Sequence, residues 1–391
     1  MTFRLRPKLL IPIVLGVAGL ATAAVVMSRH KHSEPMRAVK EVREVARMAK
    51  MVNLEERDGK GRPAVFVAAR EGWNDLLEKM LEHGADVAAA NDDGYTALHA
   101  AVANGRGETI KLLVAHHADV NVRSKEGVTP LHVAALRGEA RGIEQLLALG
   151  ASTESRLAPE ARVNCGETPL FWAVAAGSKN AVRCLVKHQA DVNARDENGA
   201  TPLHLAASYF SKGVIDELLA GGAELEARDK GGNTPLHKAA MDGPRYLFTQ
   251  HRAEKALLQH QPDGPALSDD DMVHGEVKVM NALIEHHANL EARTQLGWTP
   301  LHFATYEKSR EKVELLLAKG ADINSRIDST GYTALHWASV LPGHEEVAKV
   351  LLSRHADPGV TDKNGDTPLR LTARSANSKV AKLLLVAGAR K

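Results

Sequence analysis

Nineteen histidines in 391 residues are where chemistry would first be sought, because imidazole ligates metals and titrates near neutrality. Their spacing argues against it. Six of them, His99, His132, His204, His237, His302 and His336, each stand three residues after a threonine: Thr96, Thr129, Thr201, Thr234, Thr299 and Thr333. From that distance the ring reaches back to the threonine hydroxyl and fixes a turn, a structural role. The pairs His116-His117 and His286-His287 fall in corresponding turns at helix ends, where a positive side chain suits the helix dipole. His344-Glu-Glu-Val-Ala348 starts like a zinc-protease helix and ends on the wrong residue. Gly177-Ser-Lys179 lacks the spaced glycine and lysine of a phosphate loop, and no Gly-x-Ser-x-Gly elbow is present. Asp269, Asp270 and Asp271 are consecutive, without the alternating oxygen ligands of a calcium loop, and read better as a solvated helix start. Two cysteines make no disulfide framework: Cys184 takes a core position usually held by leucine, and Cys165 lies in a loop as a free thiol. No catalytic residue, cofactor-binding residue or metal ligand is expected, and the chain does not read as an enzyme.

What positions these histidines is a repeat. The stretch Gly199-Ala-Thr-Pro-Leu-His-Leu-Ala-Ala207 returns in register at Pro63, Thr96, Thr129, Thr168, Thr201, Thr234, Thr299, Thr333 and Thr367. The intervals are 33, 33, 39, 33, 33, 65, 34 and 34 residues. Thr before Pro starts a helix, since the hydroxyl accepts from an orphan N–H and proline at the first helical position has no donor to lose. Small residues such as Ala206 and Ala207 let a second helix approach, exemplified by Val182-Arg-Cys-Leu-Val186 and Val313-Glu-Leu-Leu-Leu317. Gly320-Ala-Asp322 then ends it in a left-handed cap.

Period and signature together resemble the ankyrin repeat. Departures are local: Phe171 and Arg370 replace the histidine, and Ala97 and Ala334 replace the proline. His117, Gln189, His287 and His355 stand where the helix-ending glycine is usual, which predicts mildly strained turns. The resemblance implies an all-α repeat solenoid of about nine helix-turn-helix repeats with short β-hairpin or loop connections, plus one N-terminal hydrophobic helix. It also implies recognition of another protein through the hairpin tips and the exposed side of the first helices. On that surface the residue before the signature Thr should be accessible, and Tyr95, Trp298 and Tyr332 hold that place. Tyr209 and Tyr306 fall near the ends of first helices. Aromatic residues make up only 4% of the chain, so their density between Trp298 and Tyr332 marks the best candidate interaction surface. Trp172, Phe303 and Trp337 follow the histidine position and are expected to pack between repeats.

Residues 1–30 differ in kind. Arg4, Arg6 and Lys8 precede an uncharged run of 19 residues from Leu9 to Met27, and Arg29 and Lys31 follow it. As a helix the run would be about 28 Å long, enough to span a bilayer. Ala21-Thr22-Ala23 also offers a signal-peptidase site. Two readings stand: an uncleaved anchor with the repeats on the extracytoplasmic side, periplasmic in a bacterium, or a cleaved signal releasing a soluble exported chain. Residues 31–60 read as a charged helical tether or cap, with Met36 to Val52 apolar at three- to four-residue steps. The first sixty residues hold 12 Lys or Arg against 6 Asp or Glu, so the repeat body itself is mildly acidic and nucleic acid is not an expected partner.

The repeat domain covers 61–391, with degenerate end repeats acting as caps: Arg62-Pro-Ala-Val-Phe66 replaces the first signature, and Arg370, Arg374, Lys379 and Lys382 make the last unit polar. The long interval places extra residues at about 244–275, either an insertion or a degenerate repeat. A helix is predicted over Arg245 to His260, then an acidic loop through Asp271, with the second helix opening at Glu276-Val-Lys-Val-Met280. The function expected is a membrane-tethered or exported scaffold for protein–protein interaction, monomeric and without cofactors. The alternatives are a ligand- or metal-responsive repeat protein and a secreted host-directed effector.

Overall fold

The first helix of every repeat is too short to persist alone. A helix of two turns loses more to nucleation than its few hydrogen bonds return, so it survives only when packed. In the computed structural model, which describes residues 57–58, 61–158, 166–208, 211–241, 269–375 and 377–389, such helices alternate with somewhat longer partners. Contacts divide the chain into two units, one ending at Pro169 and the other starting at Leu170. In the first, α1 (Ala64–Glu71) pairs with α2 (Asn74–Glu82), α3 (Ala97–Ala103) with α4 (Gly107–Ala115), and α5 (Pro130–Arg137) with α6 (Ala140–Ala148). The second opens with α7 (Pro169–Ala175) and α8 (Lys179–Lys187), then α9 (Pro202–Ser208) and α10 (Lys212–Ala220), then α11 (Pro235–Ala240) and α12 (Asp269–Glu285). It continues through α13 (Pro300–Tyr306) and α14 (Arg310–Ala318), α15 (Ala334–Val340) and α16 (Glu345–Ser353), and ends with α17 (Pro368–Ser375) and α18 (Ser378–Val386). The fold is the expected all-helical repeat solenoid. Among the described residues there is no strand, only the isolated bridges Arg57 to Pro63 and Ala90 to Thr96.

Within each unit first helices pack on first helices of the next repeat across alanine. Ala206, Ala207, Ala239, Ala240, Ala304 and Ala338 are all fully buried. Their missing side chains set the close approach that a leucine would prevent. Leucine and isoleucine of the second helices fill the remainder, among them Leu113, Ile143, Leu185, Leu218, Leu283, Leu316 and Leu351. Cys184 is buried among them, as its position predicted; Cys165 lies outside the described residues.

Among the described residues the nine second helices end alike. The residue at each end has positive φ: Gly84, Gly150, Gly222, Gly320 and Gly388, and in the other four repeats His117, Gln189, His287 and His355 at φ 63° to 70°. The alanine that follows returns its N–H to the helix carbonyl five residues back, as in Ala118 to Leu113 at 2.9 Å and Ala190 to Leu185 at 3.1 Å. The left-handed turn is therefore kept at the four sites where a side chain opposes it, at about 1–2 kcal/mol each. In the hairpins glycine has no substitute: a Cβ on Gly127 would lie 2.6 Å from the Ala158 nitrogen, which bonds to Glu126 O in the stacked hairpin.

Helix α12 departs from expectation. It begins at Asp269 and runs for 17 residues, so the three aspartates form the helix start read for them, but in the same helix as Glu276, which lies in its interior where the second helix was expected to open. Starting early turns the usual cap position, occupied by Ser178 before α8 and Ser309 before α14, into a helical site. Glu276 uses it to reach Lys312. That lysine is fully buried at a position where α10 and α16 carry Val214 and Val347, and its Nζ lies 2.7 Å from Glu276 Oε2. It also donates to the Met241 carbonyl at 2.8 Å, the point where α11 ends and residues 242–268 begin. The helix predicted over Arg245 to His260 lies outside the described residues.

A buried ammonium that loses its partners is worse than no ammonium at all. Lys312→Ala removes the ammonium that Glu276 and the Met241 carbonyl share, and should destabilise the second unit by about 3–5 kcal/mol in urea unfolding, whereas Lys312→Met with Glu276→Met should recover most of that. A loss below about 1 kcal/mol in the single variant would mean that water replaces the lysine there.

Candidate protein-interaction site

The first helices carry the candidate surface, and one hydrogen-bond pattern aims them. Backbone N–H of each signature Thr donates to Nδ1 of the histidine three residues on, at 3.1–3.2 Å. The Thr Oγ1 lies 2.8–3.1 Å from the same Nδ1. Since Nδ1 accepts from an amide, the proton sits on Nε2. That N–H points into the next repeat: His99 to Val128 O, His132 to Glu167 O, His204 to Asn233 O, His237 to Trp298 O and His336 to Asp366 O, at 2.9–3.3 Å. Each acceptor is the residue just before the next signature Thr, so one ring caps its own helix and fixes the start of the following one. This linkage, beyond the reach back to Thr, was not foreseen from the sequence.

Being neutral is built into the arrangement. Burial pushes His99, His204, His237 and His302 from 6.5 down to about 4 and His132 to about 3, with the carbonyl bond opposing in His99, His132, His204 and His237. His336 is lowered for the same reason. His302 alone of the six lacks a partner on Nε2. The hairpin ahead of it is one residue longer, closing between Ile327 N and Tyr332 O at 2.8 Å, where the preceding hairpin closes between Thr294 N and Trp298 O at 3.0 Å.

Around that joint the aromatic residues converge. The Trp298 ring lies 4.9 Å from Phe303, 5.6 Å from Tyr306 and 5.1 Å from Trp337. Tyr306 meets Trp337 edge to face at 5.5 Å, and Tyr332 meets Trp337 at 5.4 Å. Of the five, Tyr306 is 45% exposed and the other four are half-buried. The structure thus brings together Trp298, Tyr306 and Tyr332. Phe303 and Trp337 were expected to be packed away between repeats; instead they are half-open members of the same face, because the site four residues after Thr looks outward on α13 and α15. Trp172, in the corresponding place on α7, is buried as expected. Tyr95 belongs to the first unit, where its ring packs edge-on against His99 at 5.2 Å. Tyr209 lies outside the described residues.

No group of three or more His, Cys, Asp or Glu able to hold a metal ion occurs among the described residues. His286 instead stands 3.6 Å from Asp216. No described helix is long and apolar enough to cross a membrane, and residues 9–27 lie outside the description.

Repeats of two antiparallel helices, stacked through a buried Thr–His cap and presenting side chains from hairpins and first helices, define an all-helical repeat solenoid of the kind that typically serves protein–protein interaction. The chain belongs to the ankyrin-repeat family: the family described as "Ankyrin repeats (3 copies)" matches residues 36–124, 65–157, 109–196, 131–229, 272–362 and 328–391. It is similar to "Ankyrin repeat, SAM and basic leucine zipper domain-containing protein 1" of Dasypus novemcinctus, 32% identical over 119 residues, covering 29% of this chain and 25% of the relative. The human protein of that name is 32% identical over 113 residues, covering 28% and 23%. The match spans about a quarter of those relatives' length. In fold, the chain resembles the crystal structure of the human ASB11 ankyrin repeat domain, with a TM-score of 0.51, 23% identity, and coverage of 67% of this chain and 99% of that one.

The buried histidines set a pH dependence. As pH falls through 6.5 the unfolded chain takes up protons that the folded chain refuses until about pH 4, so the stability each neutral ring contributes is complete above 6.5 and drains between 6.5 and 4. Urea midpoints measured from pH 7 to pH 5, where most carboxylates are still ionised, should fall with a slope above one proton per unfolding unit. A flat profile there would show that the rings are protonated in the folded state.

Proposed function

We propose that the chain is a monomeric protein-binding scaffold whose working surface is the aromatic face formed by Trp298, Phe303, Tyr306, Tyr332 and Trp337. The observation carrying this is the partial exposure of five touching rings on and just ahead of helices that are otherwise packed and capped. Rings with only two rotatable angles lose little entropy when a partner covers them, and aromatic burial dominates the energy of most interfaces. A preformed stack likewise needs little ordering on association. The double substitution Trp298→Ala with Tyr332→Ala should lower capture of partners from extracts of the native cell at least tenfold while the far-ultraviolet circular dichroism stays unchanged. Undiminished capture would remove this surface from consideration.

We further propose that residues 9–27 hold the repeats at a membrane on its extracytoplasmic side, or direct export before being removed. The support is the 19-residue uncharged run with basic residues on its amino side. Protease added outside sealed cells should digest the repeats, and the mass of the mature chain then separates the two cases: retention of residues 1–30 means an anchor, and their loss means a signal. Protection until the cytoplasmic membrane is breached would reverse the topology.

A further inference from the structure

We propose that the aromatic face takes a linear peptide in which an aromatic or aliphatic anchor stands beside carboxylates, with the anchor on Trp298 and Trp337 and the carboxylates toward Arg326, Arg370 and Arg374. This rests on the protein-binding reading above and adds the chemistry of the partner.

The first ground is the distribution of charge around the rings. Arg370 and Arg374 are 61% and 65% exposed, and both lean on a single carboxylate, Asp366, which is only 3% exposed. A partner approaching from solvent meets two guanidinium groups and cannot reach the carboxylate beneath them. Arg326, also exposed, donates to the Thr361 carbonyl at 2.6 Å and pairs with no carboxylate among the described residues. Each retains N–H donors in the planar fork that suits carboxylates. These cations adjoin the rings through Asp366: its side chain holds Arg370 and Arg374, its carbonyl accepts from His336 Nε2 at 3.2 Å, and the His336 ring stacks on Tyr332 at 5.3 Å, with the Asp362 and Asp366 carboxylates buried beneath the exposed guanidinium groups. On the opposite side of the face Lys238 is neutralised by Asp229 at 2.7 Å. The three exposed arginines therefore cluster on the side of the last repeat, which gives the peptide a direction.

The second ground lies within the face. The indole Nε1 of Trp337 is buried and has no acceptor. Native structures seldom leave such a donor unused, and those that do call for a reason. Tyr306, the outermost ring, covers Trp337 edge to face and is held by contacts with Trp298 and Trp337 alone among the rings around it. If it turns aside under a bound segment, the indole N–H meets a main-chain carbonyl of that segment. An extended peptide supplies such carbonyls at every residue, and a flat apolar surface does not.

The test uses the full-length chain, fluorescently labelled, on an array of randomised twelve-residue peptides. Retained peptides should be enriched for Asp or Glu within three residues of Trp, Phe, Tyr or Leu. Arg370→Gln with Arg374→Gln, both at exposed sites, should lower retention on them about tenfold with circular dichroism unchanged, as removal of charge partners at an interface does. Binders rich in Lys and Arg, binders with no charge bias, or retention unaltered in the double arginine variant would overturn the acidic partner. No peptide held above the level of Trp298→Ala would also overturn it, leaving the face to folded partners, which the capture experiment reads separately.

Discussion

Every repeat must start a helix inside the protein, where the first amides have neither water nor an earlier turn to bond to. The threonine–histidine cap resolves this, and the rest of the stack follows from how it does so. Because Nδ1 is spent on the threonine amide, the only proton left on the ring is at Nε2, and it falls where the next repeat presents a carbonyl. Helix start, ring tautomer and repeat-to-repeat spacing are thus one decision. Arginines repeat the logic nearer the surface: Arg195, Arg228 and Arg293 each donate to the backbone carbonyl of the corresponding arginine one repeat on. Both ladders join main chain to main chain through side chains, so the outward positions of the first helices carry no structural duty and are open to sequence change.

That division explains where the aromatic face lies. On α11, α13 and α15 the position four residues after Thr holds Lys238, Phe303 and Trp337 in turn, and all three are only half-buried. Two aromatic choices at neighbouring outward sites, Phe303 and Trp337, with Trp298 and Tyr332 just ahead of their caps, build a continuous surface from residues that each repeat could have filled otherwise. The same joint has the longer hairpin, and there His302 Nε2 makes no hydrogen bond of ordinary geometry while Arg293 still crosses to the Arg326 carbonyl. Functional surfaces often sit on the less fully satisfied part of a fold.

Legibility from sequence followed the same division. The period, the caps and the left-handed ends at His117, Gln189, His287 and His355 could be read because each is a local rule repeated many times. Membership of Trp298, Tyr306 and Tyr332 in one surface could be read from position within the period. The outward turn of Phe303 and Trp337 could not, since Trp172 occupies the equivalent place and is buried; periodicity assigns a site, and the neighbouring repeat decides whether anything covers it. The Glu276–Lys312 pair was hidden for a different reason: a charged residue at a valine position signals a partner without saying where in the chain it lies.

That pair bears on the history of the gene and on its engineering. Where the buried links between neighbouring repeats run to main-chain carbonyls, a repeat with the right caps can be duplicated, deleted or exchanged, since a carbonyl is the same whatever residue bears it. Lys312 breaks that interchangeability. It needs a carboxylate at Glu276 and a carbonyl at Met241, so α11, α12 and α14 form a block that must be inherited or transplanted whole. Recombination within the block would part a buried ammonium from its carboxylate, a cost that exposed pairs between repeats, such as Arg183 with Glu217, do not carry, so repeat number can drift more freely elsewhere in the second unit.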